Sequence, residues 1–422
     1  MPQAVCAPLL PGLSAPQSRS LANGARVVSL AMEEAPLVCL DFWCRAGSVW
    51  ERPEESGIAH FLEHMVFKGS KRLAAGEFDL RIEALGGSSN AATGFDDVHF
   101  HVLIPPEAAA EGLELLLDLV LAPALDPDAF AMERQVVLEE LAQSEDQPDE
   151  VAVQTLLSRA CPQHNYGLPI LGLKERLLAH TPSLMAAFHQ RRYTAERCVL
   201  SLTGALDAAR LDGVLEGSAL ARLPRGDGDL ELPEIQVQSG RHRLELPRLE
   251  SARLLMVWQL PAGRDQRAVM GADLLTTLLA EGRRSRLVER LREQLRIVES
   301  IDLDLHVMEC GSFALLEAVC EPDELEPVEQ AIRAVWNETM GHPIGDAEWQ
   351  RCQRLVSNGY RFGLESPGGV AGLIGCNALW GREQPLQQPL ELLGTWTAQE
   401  LQEAALPLLD PSRACVVQAV PA

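Results

Sequence analysis

The sequence has no surplus of basic residues, no closely paired cysteines and no long apolar run, and each absence removes a class of function. Lys and Arg number 36 against 60 Asp and Glu, a formal net charge of −24. Nothing is left over to neutralise phosphates, so nucleic acid is not an expected partner. The carboxylates serve solubility or suit a positively charged peptide. Ten cysteines are scattered from Cys6 to Cys415 without a Cys-x-x-Cys pair. Cys39, Cys44, Cys198 and Cys320 stand in apolar surroundings and read as buried free thiols of a reducing compartment. No stretch reaches the roughly 18 apolar residues that open a case for a membrane helix. Met1 to Gly24 lacks a Lys or Arg ahead of its apolar stretch and is interrupted by Pro8, Pro11 and Pro16, so no secretory signal is expected. Together these readings predict a cytoplasmic protein with no membrane partner.

What is present is ordinary in amount and informative in order. A chain of 422 residues, 47% hydrophobic and 23% charged, is long enough for two cores and too apolar for extended disorder. Strand patterns at 26–31 and 37–45 precede a helical pattern at 57–67. A second helical segment, 78–85, stops at Gly86-Gly87. The segment 98–104 alternates as a strand, and helices follow at 108–121 and from Pro127 to about Gln143, closed by Pro148. Residues 151–188 read as mostly helical, and 198–204 as a buried strand. Strand and helix patterns then alternate again through 254–340, so the chain reads as a duplicated α/β unit, repeated in pattern and not in residues. The Gly- and Pro-rich stretch around 223–233 is the linker candidate, placing domains at 1–225 and 235–422 with 226–234 between them.

The chemistry concentrates in His60-Phe61-Leu62-Glu63-His64. Two histidines four apart lie one turn apart on one helix face, as a shared metal ion requires. Glu63, three residues after His60, projects toward that face, where a carboxylate can take a proton from an activated water. The neighbours of these polar groups are apolar, and burying them without a partner would be costly. A hydrolytic zinc needs a third protein ligand. The helix containing Glu133 and Glu140, seven apart and so on one face, supplies candidates, while Glu139 points elsewhere. Spacing alone leaves open whether this face holds a ligand or is a solvated acidic surface.

The order H-x-x-E-H resembles the pitrilysin/insulinase family of metallopeptidases, the inverted zincins, which includes the mitochondrial processing peptidases. The likeness runs along nearly the whole chain. It is carried by Gly47-Ser48 with Glu51, the segment Gly57 to Gly69, Glu83 to Thr93 with Gly86-Gly87 and Asn90-Ala91, the Glu133 to Glu140 helix, Tyr166 to Gly172, Tyr193, Gly204 and Ser285-Arg286-Leu287. The resemblance implies that His60, His64 and Glu140 hold one Zn2+ and that Glu63 moves the proton. Glu133 would orient a ligand, and Asn90 and Ala91 would lie where an edge strand pairs with the peptide. It implies an α+β fold of two similar α/β domains, each a mainly antiparallel sheet packed with helices, closing as a clam-shaped dimer. The activity implied is zinc endopeptidase action on short or unfolded peptides in an enclosed cleft.

The likeness breaks at one position. Active relatives carry an Arg and a Tyr seven apart that contact the substrate and its oxyanion. Here Arg292 falls on the Arg and Glu299 on the Tyr. An ionised carboxylate cannot donate the hydrogen bond a phenol would. The expectation is therefore a heterodimer in which a related subunit supplies the Arg/Tyr pair, with a homodimer as the alternative. A non-catalytic binding subunit of a processing-peptidase-like complex is the competing reading of the whole chain.

Overall fold

The strand β3 (Val38–Cys44) shows what the fold has to provide. Val38, Leu40, Phe42 and Cys44 alternate with Cys39, Asp41 and Trp43, and all seven residues are buried. A strand covered on both faces needs a layer on each side. The computed structural model describes residues 15–226 and 232–422 and supplies those layers. The expected linker at 226–234 therefore falls largely, at 227–231, outside the described residues, as do residues 1–14 of the N-terminal stretch.

The first half forms a sheet from β1 (Gln17–Ser20), β2 (Arg26–Ala31), β3, β4 (Ser88–Thr93), β5 (Val98–Ile104) and β6 (Cys198–Gly204), in the order β1-β2-β6-β3-β5-β4. The second half forms a sheet from β7 (Gly240–Leu246), β8 (Ala252–Leu260), β9 (Ser300–His306), β10 (Ser312–Cys320) and β11 (Cys415–Pro421), in the order β7-β11-β8-β10-β9. Leaving out β1, each unit places its first, last, second, fourth and third strands side by side in that order. Each has one parallel pair, β2 with β6 and β7 with β11, and is otherwise antiparallel. The repeat expected from patterning is thus a repeat of topology.

The inner face of the first sheet packs on Phe61, Leu62, Leu113 and Leu116, joining Phe42, Phe78, Phe100 and Phe130 in one core. Each such aromatic contributes about 1.5–3 kcal/mol relative to exposure. The two halves also exchange helices. Ala152, Leu156, Leu157 and Ala160 of the helix Pro148–Ala160 pack on Leu255, Val257 and Val417 of the second sheet. Val370, Ile374 and Ala378 of the helix Pro367–Leu379 pack on Val28, Leu30, Trp43 and Val199 of the first. Polar contacts reinforce the exchange: Glu309 N donates to Asp96 Oδ2 (2.9 Å), and Trp380 Nε1 donates to Asp97 Oδ2 (2.9 Å). No helix among the described residues is long and apolar enough to cross a membrane. Cys39, Cys44, Cys198 and Cys320 are buried free thiols, as read from their surroundings.

The stretch 151–188 is mostly helical, as read: helices Pro148–Ala160, Lys174–Ala179 and Pro182–Arg192 cover most of it, and a loop containing Pro162, Gly167, Pro169 and Gly172, which break the helix period, parts the first from the second. Pro148 follows the end of the preceding helix at Glu145, as read, and also opens the next one, in the first turn, where its missing N–H costs nothing.

Candidate metal centre

The motif helix Ile58–Val66 buries Ile58, Phe61, Leu62, Met65 and Val66, and this fixes the direction of its polar residues. Its N-terminus is held by Glu51, whose Oε2 accepts from Gly57 N (2.9 Å) and whose Oε1 accepts from Ala59 N (2.8 Å). A carboxylate at that end satisfies free N–H groups and suits the helix dipole. The acidic helix Pro127–Glu145 starts at Asp126, whose side chain accepts from Asp128 N (3.0 Å) and Ala129 N (2.9 Å). Phe130, Glu133, Val137 and Leu141 form its buried stripe. Phe130 packs on Phe61 with ring centroids 4.6 Å apart, which locks the two helices together.

That contact brings three donor atoms to one point. Glu140 Oε2 lies 3.6 Å from His60 Nε2 and 3.4 Å from His64 Nε2. These separations are long for hydrogen bonds, but near the ~3.3–3.4 Å between neighbouring ligands of a tetrahedral ion with bonds of about 2.0–2.1 Å. Glu140 Oε2 and His60 Nδ1 are buried without a hydrogen-bond partner, a costly state for polar atoms. Burial, with His64 adding to it, pulls His60 down to about 4, so its imidazole is neutral and able to ligate. A transition-metal ion fits this donor set and would relieve the unpaired carboxylate oxygen.

The supporting residues are in place around it. Glu133 is 6% exposed and sits behind His64, its Oε1 2.9 Å from His64 Nδ1 and its Oε2 2.7 Å from Lys68 Nζ. With Nδ1–H donated to Glu133, the lone pair of His64 lies on Nε2, facing Glu140. Glu139, one residue away, is exposed. Glu63 is half-buried, accepts a hydrogen bond from Thr93 Oγ1, and is pushed up by burial, against the pull of Thr93 and His64. Removing Glu133 as Glu133→Ala is expected to weaken metal binding about 10–100-fold. Competition against a chelator checks this, and unchanged affinity would remove Glu133 from the site.

Asn90 and Ala91 lie on β4, the outermost strand of the first sheet. Ala91 is turned toward the core and Asn90 is exposed, with Asn90 Oδ1 accepting from Ala91 N (2.9 Å). Arg292 and Glu299 stand apart from the donor cluster. Arg292 bonds Glu293 (2.9 Å) within the π-helical turn Val288–Leu295, and Glu299 accepts from Ser251 Oγ (3.0 Å). Sequence reading gave no role to Lys68, Thr93 or Glu51. Lys68 could have been found from its spacing of four beyond His64, whereas Thr93 meets Glu63 only through the tertiary fold.

Known proteins resemble this chain over most of its length. Residues 26–174 match the family model described as insulinase (peptidase family M16), and residues 181–356 match the model described as the peptidase M16 inactive domain. A protein of Mycobacterium leprae named as an uncharacterized zinc protease is 27% identical over 395 residues, covering 93% of this chain and 88% of its own length. The mitochondrial-processing peptidase subunit beta of Blastocladiella emersonii is 32% identical over 212 residues, covering 50% of this chain and 45% of its own. In fold, the chain is similar to the crystal structure of a protease from Helicobacter pylori, with a TM-score of 0.90, 24% identity, and 97% of this chain and 100% of that one covered. The chain belongs to the insulinase, or M16, family of peptidases.

Proposed function

We propose that the chain is a zinc-dependent endopeptidase acting on short or unfolded peptides within an enclosed cleft, as the zinc-bearing subunit of a dimer. The observation that carries this reading is the convergence of His60 Nε2, His64 Nε2 and Glu140 Oε2 beside Glu63. A zinc ion held by those three residues would supply an acidified water and a polarised carbonyl. Glu63 takes the proton released by the attacking water and returns it to the leaving nitrogen. Thr93 donates to Glu63 Oε2, so Oε1 is the oxygen that carries the proton. The outer edge of β4, with Asn90 and Ala91, pairs with the peptide as an added strand, which positions the scissile bond through main-chain contacts and tolerates varied side chains.

The partner proposed is a related subunit that brings an Arg/Tyr pair to this site. The support is Glu299: it stands where a phenol donor is expected, and its carboxylate bonds Ser251. The same residue favours the second reading, a non-catalytic subunit. Hydrolysis of a pool of unfolded peptides by the purified, zinc-loaded chain decides between them, with His64→Ala as the blank. Cleavage by the chain alone establishes a self-sufficient peptidase and removes the need for the partner. Zinc uptake without cleavage, followed by cleavage on adding a related subunit with the Tyr, supports the heterodimer. Continued silence with that subunit present overturns the peptidase reading.

A further inference from the structure

A polar row crosses the far face of the first sheet. Strand alternation sends Val38, Leu40, Phe42 and Cys44 into the core and leaves Asp41 on the opposite face with Trp43. The strand register sets Ser201 of β6 and His101 of β5 on the two sides of Asp41, and Asn90 of β4 beyond His101. Ser201, Asp41, His101 and Asn90 thus form one line across four neighbouring strands. His99, two residues before His101 and paired with Trp43, stands beside the line on the same face. The rest of this face is apolar where Val28, Leu30, Trp43 and Val199 lie under the helix Pro367–Leu379.

Such a row is costly under an apolar helix. Asp41 is 2% exposed and Ser201 0%. The Ser201 hydroxyl and the Trp43 indole N–H are buried with no hydrogen-bond partner. Asp41 Oδ1 lies 3.1 Å from His99 Nδ1. His99 is clamped between Trp43, at 4.2 Å and 12°, and His101, at 5.6 Å and 17°. One donor atom from each of Asp41, His99 and His101 falls within 4.8 Å of the others. A buried carboxylate needs a cationic partner, and His99 alone would serve. A single ion pair leaves the second imidazole, His101, within ligand distance of both partners and without a role. Two imidazoles and a carboxylate on two adjacent strands are the donor set of a first-row transition ion, and nitrogen ligands disfavour Mg2+ and Ca2+. Strands hold such ligands more rigidly than loops do. Burial relaxes along the row, from Ser201 through half-buried His101 to exposed Asn90, which gives an ion a way in from the β4 edge.

We propose that Asp41, His99 and His101 form a second transition-metal site, on the opposite face of the sheet from the His60–His64–Glu140 centre. It takes a divalent cation of the zinc or cobalt kind, with a remaining position open to water. The ion joins β3 to β5, and β5 pairs with β4, whose other face carries Thr93 and its bond to Glu63. The site follows from the sheet register and is independent of whether the chain cleaves peptides.

The test is metal stoichiometry in the metal-free full chain, by Co2+ titration followed in the visible spectrum and by equilibrium dialysis. Two equivalents are expected in the wild type, one in His101→Ala and one in the double variant His60→Ala/His64→Ala. A variant-free measurement guards against misfolding of either. The wild-type chain loaded with one equivalent of zinc should take up a further equivalent of Co2+ with its own absorption band. Uptake that stops at the first equivalent, or a His101→Ala chain that still binds two, overturns the site. Two equivalents in a chain that cleaves nothing would uphold it while the peptidase reading fails.

Discussion

Replacing Glu63 by Gln is expected to lower peptide hydrolysis about 10²–10⁴-fold while leaving bound zinc unchanged. Glu63 shares the motif helix with both histidines, yet it stays outside the triangle formed by His60, His64 and Glu140. Glu63→Gln is close to isosteric, so the packing of the helix and the Thr93 contact are preserved. What is lost is the capacity to take and return a proton. Initial rates on an unfolded peptide, read beside metal content by mass spectrometry, separate the two roles. Full activity in the variant would remove Glu63 from the chemistry, and parallel loss of zinc would make it a ligand or a structural residue. The assay is run under whichever condition, chain alone or with its partner, shows wild-type cleavage.

The second large effect is structural and lies behind the motif helix. Gly57 opens that helix at φ 85°, and Gly172 sits against it at φ 86°. A Cβ on Gly172 would stand 2.4 Å from Gly57 Cα and 2.7 Å from Ser56 O, both backbone atoms that cannot turn aside. Gly172→Ala therefore combines a left-handed backbone, about 1–2 kcal/mol for a residue with a Cβ, with overpacking of about 1–3 kcal/mol. A loss of roughly 2–5 kcal/mol is expected, visible as a lower urea midpoint, with weakened zinc binding because the helix carrying both histidines must shift. Stability within about 0.5 kcal/mol of the wild type would show that this close approach is not needed.

The contrast between these two sites explains what was readable in advance. Glu63 and its histidines were legible because a helix repeats every 3.6 residues, so three and four residues of separation define a face. The fourfold spacing that relates His64 to Lys68 obeys the same rule and was overlooked. Gly57 and Gly172 were legible only as members of a family-like pattern, since their contact joins segments more than a hundred residues apart in the chain. Strands β1, β7 and β11 were not read from the sequence. β1 is wholly exposed, and β7 alternates charged residues on an edge, so neither shows the apolar signal of a buried strand. The helix Pro367–Leu379 was missed as well: its core partner is the sheet of the other half.

The sequence by itself determined the metal motif, the repeated alternation of strand and helix, and the candidacy of Glu133 and Glu140, because each depends on periodicity within one or two turns. Helical spacing did not tell those two glutamates apart; the family resemblance assigned their roles, and the tertiary structure supplies the physical reason. Glu133 is enclosed between His64 and Lys68, and Glu140 faces both histidines, because Phe130 packs on Phe61 and sets the rotation of one helix against the other. Tertiary structure alone decided that Asp41, His99 and His101 meet. Residues on separate strands become neighbours through register, and register is set by pairing across the whole sheet, not by spacing along the chain.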